Sequence, residues 1–354
     1  MVRTAKAHIA GVFEHPTRKA VDKTIPQLHA ELAAGVLADA GLQKEDVDGF
    51  FCDGTVPGLG GISMAEYIGL DLRYTDCTET GGSSYTVHVG HAAQAIADGK
   101  CNVALISLAG RPRAEGLKTL GARTYGGPPE VAFEMPYGPA VVNTYAMVAM
   151  RHMHEFGTTP EQLAWIKVAA SHHAQHNDFA VLRDLVTVED VLQSPMIADP
   201  LHRLDCCVIS DGGGAIIMVN PSIAKSLGDR CVKVLGQGEA IKHLNGGQVD
   251  LTYTAGVTSG RIAFEESNLK PTDIDYVSIY DSFTITVLIT LEDLGFCERG
   301  QGGKFVAEGN LISGVGKLPF NTDGGGLCNN HPGNRGSMTK VIEAVRQLRG
   351  EAHS

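Results

Sequence analysis

Leu42-Gln43-Lys44-Glu45-Asp46-Val47-Asp48-Gly49-Phe50-Phe51-Cys52 returns in altered form as Leu269-Lys270-Pro271-Thr272-Asp273-Ile274-Asp275-Tyr276-Val277-Ser278-Ile279-Tyr280, with Asp273 lying 227 residues beyond Asp46. Each copy is a short polar turn followed by a run suited to a buried strand. Farther along, Gly82 to Gly99 and Gly333 to Gly350 bracket helix-like segments of equal length, each entered through a Gly-rich stretch. A duplicated α/β unit with two helix N-termini facing one centre suits developing negative charge. Acyl transfer or enolate formation is therefore the chemistry to test.

The reading extends outward from these repeats. Residues 5–13 read as a first strand. Thr24 with Gln27 is a capping-box signature, and Leu28, Leu32, Val36 and Ala40 recur at helical spacing before Gly41. Phe50–Asp53 is a strand, 54–61 a loop, Tyr85–Asp98 a helix and Val103–Leu108 a strand. Regularity then breaks. Residues 111–200 read as an inserted loop subdomain with helices near 140–156, 160–176 and 188–193. Strand character resumes at Cys206–Ser210 and Ala215–Val219, around the turn Ser210-Asp211-Gly212-Gly213-Gly214. The first half is thus 1–110 completed by 201–225, and the second is 226–354. The second half has a helix near 258–267, a strand at 276–280 and a helix from about 283 to 294. Strands alternating with helices imply an α/β protein with a parallel or mixed sheet.

Composition narrows the classes. The 354 residues are 43% hydrophobic and 19% charged, as in ordinary soluble proteins. A net charge of −11 argues against nucleic acid and anionic membranes as partners. The 8 cysteines show no C-x-x-C pair or zinc-finger spacing, so free thiols in a reducing compartment are expected. The N-terminal residues lack the apolar core of a signal peptide, and no apolar run approaches a membrane span. A cytoplasmic location follows as the expectation.

Three segments of the second half, in order, carry a resemblance: Tyr280-Asp281-Ser282-Phe283, Asn321-Thr322-Asp323-Gly324-Gly325-Gly326 and Asn330-His331-Pro332-Gly333-Asn334-Arg335-Gly336. With the duplicated halves and the insertion, the chain resembles the thiolase superfamily over nearly its whole length. Ser210-Asp211-Gly212 and Gln347-Leu348-Arg349-Gly350 look more specifically like its sterol-carrier-protein-type branch. The resemblance implies a duplicated fold layered α-β-α-β-α and, through paired sheet edges, a homodimer.

Two departures stand out. Where thiolases place a nucleophilic cysteine, Glu79-Thr80-Gly81-Gly82-Ser83-Ser84 offers Gly82. Thiolases also carry a second cysteine in a late Cys-x-Gly motif. Gly350 is followed here by four residues without one, whereas Gly99 is followed by a strand. The last two strands of the second half are expected to be missing or supplied from elsewhere.

The candidate catalytic residues are His331, Tyr280, Ser83 and Cys328. Pro332 and Gly333 read as opening a helix, which puts the His331 ring where backbone N–H groups converge. The resemblance gives this histidine an oxyanion-binding role towards a thioester carbonyl. Tyr280 stands where the family usually carries Asn or His; it is either a proton relay or a packed strand tyrosine. Ser83 and Cys328 are the possible relocated nucleophiles, against the plainer readings of a helix-cap serine and a buried thiol. Gly82, Ser84, Asn330, Gly325 and Asp281 are the candidate substrate-binding positions, with Asp281 also suited to orienting a helix start. His88 and His91 read as ordinary helix residues, and no metal is expected.

Oxyanion machinery without its nucleophile points to a thioester enolate formed without an acyl-enzyme. Retro-aldol cleavage of a β-hydroxyacyl-CoA is the leading expectation. An acetyltransferase with a relocated nucleophile and a non-catalytic acyl-CoA-binding scaffold are the alternatives. Coenzyme A would enter as part of the substrate, with no separate cofactor, and Arg111, Arg113, Lys118 and Arg123 are candidates for its phosphates. Cysteine-less members resemble side-chain aldolases acting on CoA thioesters of steroid-like acids. That resemblance implies a small OB-fold partner with a zinc ribbon.

Overall fold

The computed structural model describes residues 5–116, 137, 140–333 and 335–352. The phosphate-binding expectations at Lys118 and Arg123 lie outside these residues. The strands are β1 (Ala7–Glu14), β2 (Gly49–Phe51), β3 (Tyr74–Asp76), β4 (Val103–Gly110), β5 (Met196–Ala198), β6 (Leu201–His202), β7 (Gly212–Val219) and β8 (Val232–Val234). The first three helices are α1 (Ile25–Ala40), α2 (Gly61–Ile68) and α3 (Ser84–Ala97). The insertion carries α4 (Val141–Phe156), α5 (Pro160–Ala174) and α6 (Val188–Gln193), close to the segments expected there. There follow α7 (Pro221–Leu227), α8 (Gly256–Ser267), α9 (Thr284–Asp293), α10 (Gly302–Val306), α11 (Gly325–Cys328) and α12 (Ser337–Arg349). No described helix is long and apolar enough to cross a membrane.

Local chemistry accounts for the boundaries. Thr24 caps α1 reciprocally: its hydroxyl accepts from Gln27 N–H at 3.3 Å, and Gln27 Oε1 accepts from Thr24 N–H at 2.8 Å. Gly41 closes the helix in the left-handed region at φ 70°. The echoed turns fold alike as 3₁₀ segments, with Asp46 accepting from Gln43 N–H and Asp273 from Lys270 N–H, both at 2.8 Å.

The main sheet is mixed, in the order β3-β2-β4-β7-β1-β8. β2 runs parallel to β3 and β4, while β4–β7, β7–β1 and β1–β8 are antiparallel. Alternation along β4 and β7 divides the core. Leu105 and Ile217 pack with Leu32 and Val36 of α1, whereas Ile106 and Ile216 pack with Val89 of α3 and Met338 and Ile342 of α12. A helix of the second half therefore covers the sheet of the first. A separate cluster joins α5 and α9 through Ile166, Phe283, Leu288 and Phe320. Burying such side chains contributes about 1.5–3 kcal/mol each.

Several expectations change. Gly212–Gly214 is the start of β7 and not a turn, because only glycine permits this backbone approach: a Cβ on Gly213 would lie 1.8 Å from Leu108 O. Cys206–Ser210 forms bridges to Phe283 and Pro332 in place of a strand. Residues 276–280 are extended but make one bridge, Val277 to Phe320. The Asn321 side chain takes the place of a neighbouring strand, its amide accepting from Ile279 N–H at 2.9 Å and donating to Ile279 O at 2.8 Å. Helix α2 and strand β3 were not anticipated.

Candidate active site

Tyr280 lies between the two helix starts. A Cβ on Gly82, just before α3, would meet its hydroxyl oxygen at 2.3 Å, and one on Gly336, just before α12, would meet its ring at 2.2 Å. The phenol thus fills the volume that a cysteine at position 82 would need. The nearby Gly336 N–H, just before α12, favours the ionised phenol and so opposes the effect of burial. Burial, followed by the neighbouring Cys207 and Tyr145, pushes this phenol well above its ordinary range and keeps it protonated.

His331 stacks on Tyr280, with ring centroids 5.6 Å apart and planes inclined by 22°. Its Nε2 is 2.9 Å from the Tyr280 hydroxyl, and its Nδ1 is 3.6 Å from Cys207 Sγ. Burial lowers the imidazole pKa to about 4; Asp281 opposes that shift and Lys340 reinforces it. The ring is therefore neutral at physiological pH. The expectation that Pro332 and Gly333 open the helix is corrected: α12 begins at Ser337, and the turn Arg335 N–H to Pro332 O intervenes. Side chains hold the imidazole, and the helix start addresses its tyrosine neighbour.

Other expected site residues build the floor. Asp281 is fully buried; its oxygens accept from Gly326 N–H at 2.8 Å and Leu327 N–H at 3.1 Å, and Lys340 Nζ lies 3.0 Å away. It orients the start of α11 and does not reach outward. Gly325 must be glycine, since at φ 62° a Cβ would stand 2.1 Å from Asp281 Oδ2. Asn330 is likewise turned into the protein: Ser210 Oγ donates to its Oδ1 at 2.7 Å and its Nδ2 donates to Glu14 at 2.8 Å. Ser210 Oγ also accepts from His331 N–H at 2.8 Å, fixing the backbone that carries the imidazole. Beneath them, burial would raise the Glu14 carboxyl, but Arg18 and Arg346 hold it down at about 2.

The proposed nucleophiles are not assembled with this pair. Ser84, a substrate-binding candidate, knits the turn: its Oγ donates to Gly81 O at 2.8 Å and accepts from Thr80 N–H at 3.0 Å. Ser83 is exposed and its side chain makes no cap. Cys328 faces α5, where Lys167 Nζ lies 3.1 Å from its sulfur, and burial raises its thiol. The short helix α11 turns it away from His331 despite their closeness in sequence.

Sequence reasoning missed Cys207, Ser210 as an anchor, Lys340 and a clamp around Arg335. That guanidinium pairs with Asp53 and Glu79 at 3.0 Å each, and the Tyr85 hydroxyl donates to Asp53. The loop after His331 is thereby fastened to the loop before Gly82. His88 Nε2 lies 2.9 Å from Thr78 O, and His91 Nδ1 lies 2.7 Å from Asp76. Among the described residues no cluster of His, Cys, Asp or Glu is disposed to hold a metal ion. Arg111 donates to Ala20 O at 2.9 Å, a backbone tether.

Known proteins share this arrangement of chain. The family of thiolase C-terminal domain-like sequences matches residues 238–354. An acetyl-CoA acetyltransferase of Methanothermobacter thermautotrophicus is 32% identical over 97% of this chain and 91% of its own. A steroid side-chain-cleaving aldolase of Thermomonospora curvata is 33% identical over 97% of this chain and 90% of its own. The chain belongs to the thiolase superfamily. Its similarity to sterol carrier protein 2 of Gallus gallus agrees with the sterol-carrier-protein-type branch. The solved Ltp2–ChsH2(DUF35) aldolase superposes with a TM-score of 0.89 at 33% identity, covering 99% of this chain and 92% of that one. This thiolase-superfamily chain is thus an enzyme of a fold that makes or breaks carbon–carbon bonds next to a thioester.

Proposed function

We propose that the chain is a CoA-thioester aldolase cleaving a β-hydroxyacyl-CoA by a retro-aldol reaction. The observation that carries this reading is the Tyr280 phenol standing in the volume of the missing nucleophile and bonded to His331. A Claisen thiolase needs a thiolate there to form an acyl-enzyme. An aldolase needs a group that takes the β-hydroxyl proton and donors that hold the enolate oxygen. Tyr280 is suited to the first task, with His331 receiving its proton. As the hydroxyl proton leaves, its O–H electrons form the new carbonyl. The Cα–Cβ pair moves onto the thioester as an enolate, and protonation of Cα releases a shortened acyl-CoA.

By analogy with the relatives named above, the acyl group is a steroid-like side-chain acid. The DUF35 partner named for the solved aldolase complex supports a partner subunit. We propose further, from the superfamily resemblance, that this subunit is a small OB-fold protein with a zinc ribbon and that the chain forms a homodimer, with β3 and β8 as the edges of the described sheet. The acetyltransferase alternative needs Ser83 or Cys328, one exposed without a cap and the other held by Lys167. One experiment decides between them. The protein is incubated with labelled acetyl-CoA and, separately, with the CoA thioester of a β-hydroxylated steroid side-chain acid. Intact mass should stay unchanged with the first, while the second should yield a ketone or aldehyde and a shorter acyl-CoA. A stable acetyl adduct would refute the aldolase reading.

A further inference from the structure

Among the described residues, the side chains of Tyr280 and Cys207 lie within hydrogen-bonding reach of the His331 ring, and the proposed reaction uses Tyr280. The other is Cys207, whose sulfur lies 3.6 Å from Nδ1. Its backbone is fixed independently, N–H donating to Ser282 O at 3.0 Å, beside the buried Asp281. Burial, then the charge of Asp281, pushes this thiol far above its ordinary range, so it remains a neutral S–H.

A neutral imidazole carries one N–H, which leaves two arrangements. With the proton on Nε2, that N–H donates to the Tyr280 oxygen. Nε2 is then already protonated and cannot receive the phenolic proton. With the proton on Nδ1, that N–H donates to Cys207 Sγ and the phenolic O–H donates to the bare Nε2. Nε2 can then receive the phenolic proton as the phenol oxygen takes one from a substrate hydroxyl. This second arrangement also joins the strongest donor present to the strongest acceptor.

We propose that Cys207 is a positioning residue for the Tyr280–His331 pair: its sulfur accepts Nδ1–H, fixes that tautomer and leaves Nε2 to receive the phenolic proton. The logic is that of a base oriented by a third group, with a thiol sulfur as the third member. It rests on the reading of Tyr280 and His331 as the proton-accepting pair. In the cleavage step the substrate hydroxyl proton passes to the Tyr280 oxygen while the phenolic proton passes to Nε2. The imidazolium so formed faces Asp281, which favours its charge, and Lys340, which opposes it. That proton is afterwards available to Cα of the enolate, so none is gained or lost. A carboxylate at position 207 would protonate the ring before substrate arrived; a neutral sulfur orients it without charging it.

The test is the tautomer of His331, read by long-range ¹⁵N–¹H spectra of protein labelled at histidine, with His331→Gln identifying the signals. The wild type is expected to show a protonated Nδ1 and a bare Nε2. Cys207→Ala should move the proton to Nε2, because a buried N–H tolerates the loss of its partner less well than a bare nitrogen does. Cys207→Ser retains an acceptor and should keep the wild-type pattern. A proton on Nε2 in the wild type overturns the proposal, as does a Cys207→Ala spectrum that is unchanged or a Cys207→Ser spectrum that is not. Should Cys207→Ala fail to fold, the wild-type and serine spectra decide. These spectra need no substrate, so a failed retro-aldol assay leaves the tautomer result standing, and the reverse holds too.

Discussion

The two helix starts at the centre of the molecule descend from one repeated pattern but have diverged in use. Gly99 and Gly350 close α3 and α12 alike, at φ 67° and 68°. At the opening ends the first offers a bare glycine, Gly82, and the second is preceded by His331 and Gly336. Tyr280 joins them, its ring occupying space that a side chain at either glycine would fill. The loss of a nucleophile on one side and the gain of a phenol between the two are thus one steric fact. A cysteine at 82 and a tyrosine at 280 exclude each other.

The comparison breaks most severely if the phenol is removed. Tyr280→Phe should lower kcat for retro-aldol cleavage by roughly 10²–10⁴-fold, the range of a positioned proton-transfer group. A rate near wild type would reduce Tyr280 to packing. On the other side, His331→Ala should cost roughly 10²–10⁴-fold in turnover, as expected for the group that receives the phenolic proton.

A pH series tests the same histidine without substrate. His29, His173 and His331 are each lowered by burial from 6.5 to about 4. As pH falls from 6.5 towards 4, the unfolded chain binds protons that the folded chain refuses. Stability due to these groups is complete above 6.5 and lost on the way down, by up to about 3 kcal/mol for a group shifted this far. Urea unfolding of His331→Gln should show a shallower loss across that window than the wild type.

Gly82→Ala sharpens the steric claim. It should destabilise the fold by about 1–3 kcal/mol in urea, the usual cost of overpacking. Adding Tyr280→Ala should recover part of that loss, and simple additivity would argue against the exclusion. Smallest of all, Ser83→Ala should change stability by less than about 0.5 kcal/mol and leave turnover unaltered.

Much of the fold was legible where the signals are local. The Thr24–Gln27 capping box, the helices of the insertion and the matching 3₁₀ turns at Asp46 and Asp273 all depend on residues a few positions apart. The strand at 276–280 failed because a distant side-chain amide, that of Asn321, satisfies its backbone. In the site, His331 and Tyr280 were identified and do meet. Cys328 was chosen for its closeness to His331 in sequence, but one turn of α11 aims it at Lys167. Cys207 passed unnoticed because 124 residues separate it from the ring it touches.

The sequence by itself determined the duplication, the helical caps, the absent cysteine at 82 and the residue types available for proton chemistry. Each is a matter of order and spacing along the chain. Only the tertiary structure decided that the phenol of Tyr280 fills that gap, that Asn330 and Asp281 serve the scaffold, and that a sulfur backs the imidazole. Those outcomes depend on through-space distances of a few ångströms between segments far apart in sequence, set by how β7, α11 and α12 pack together.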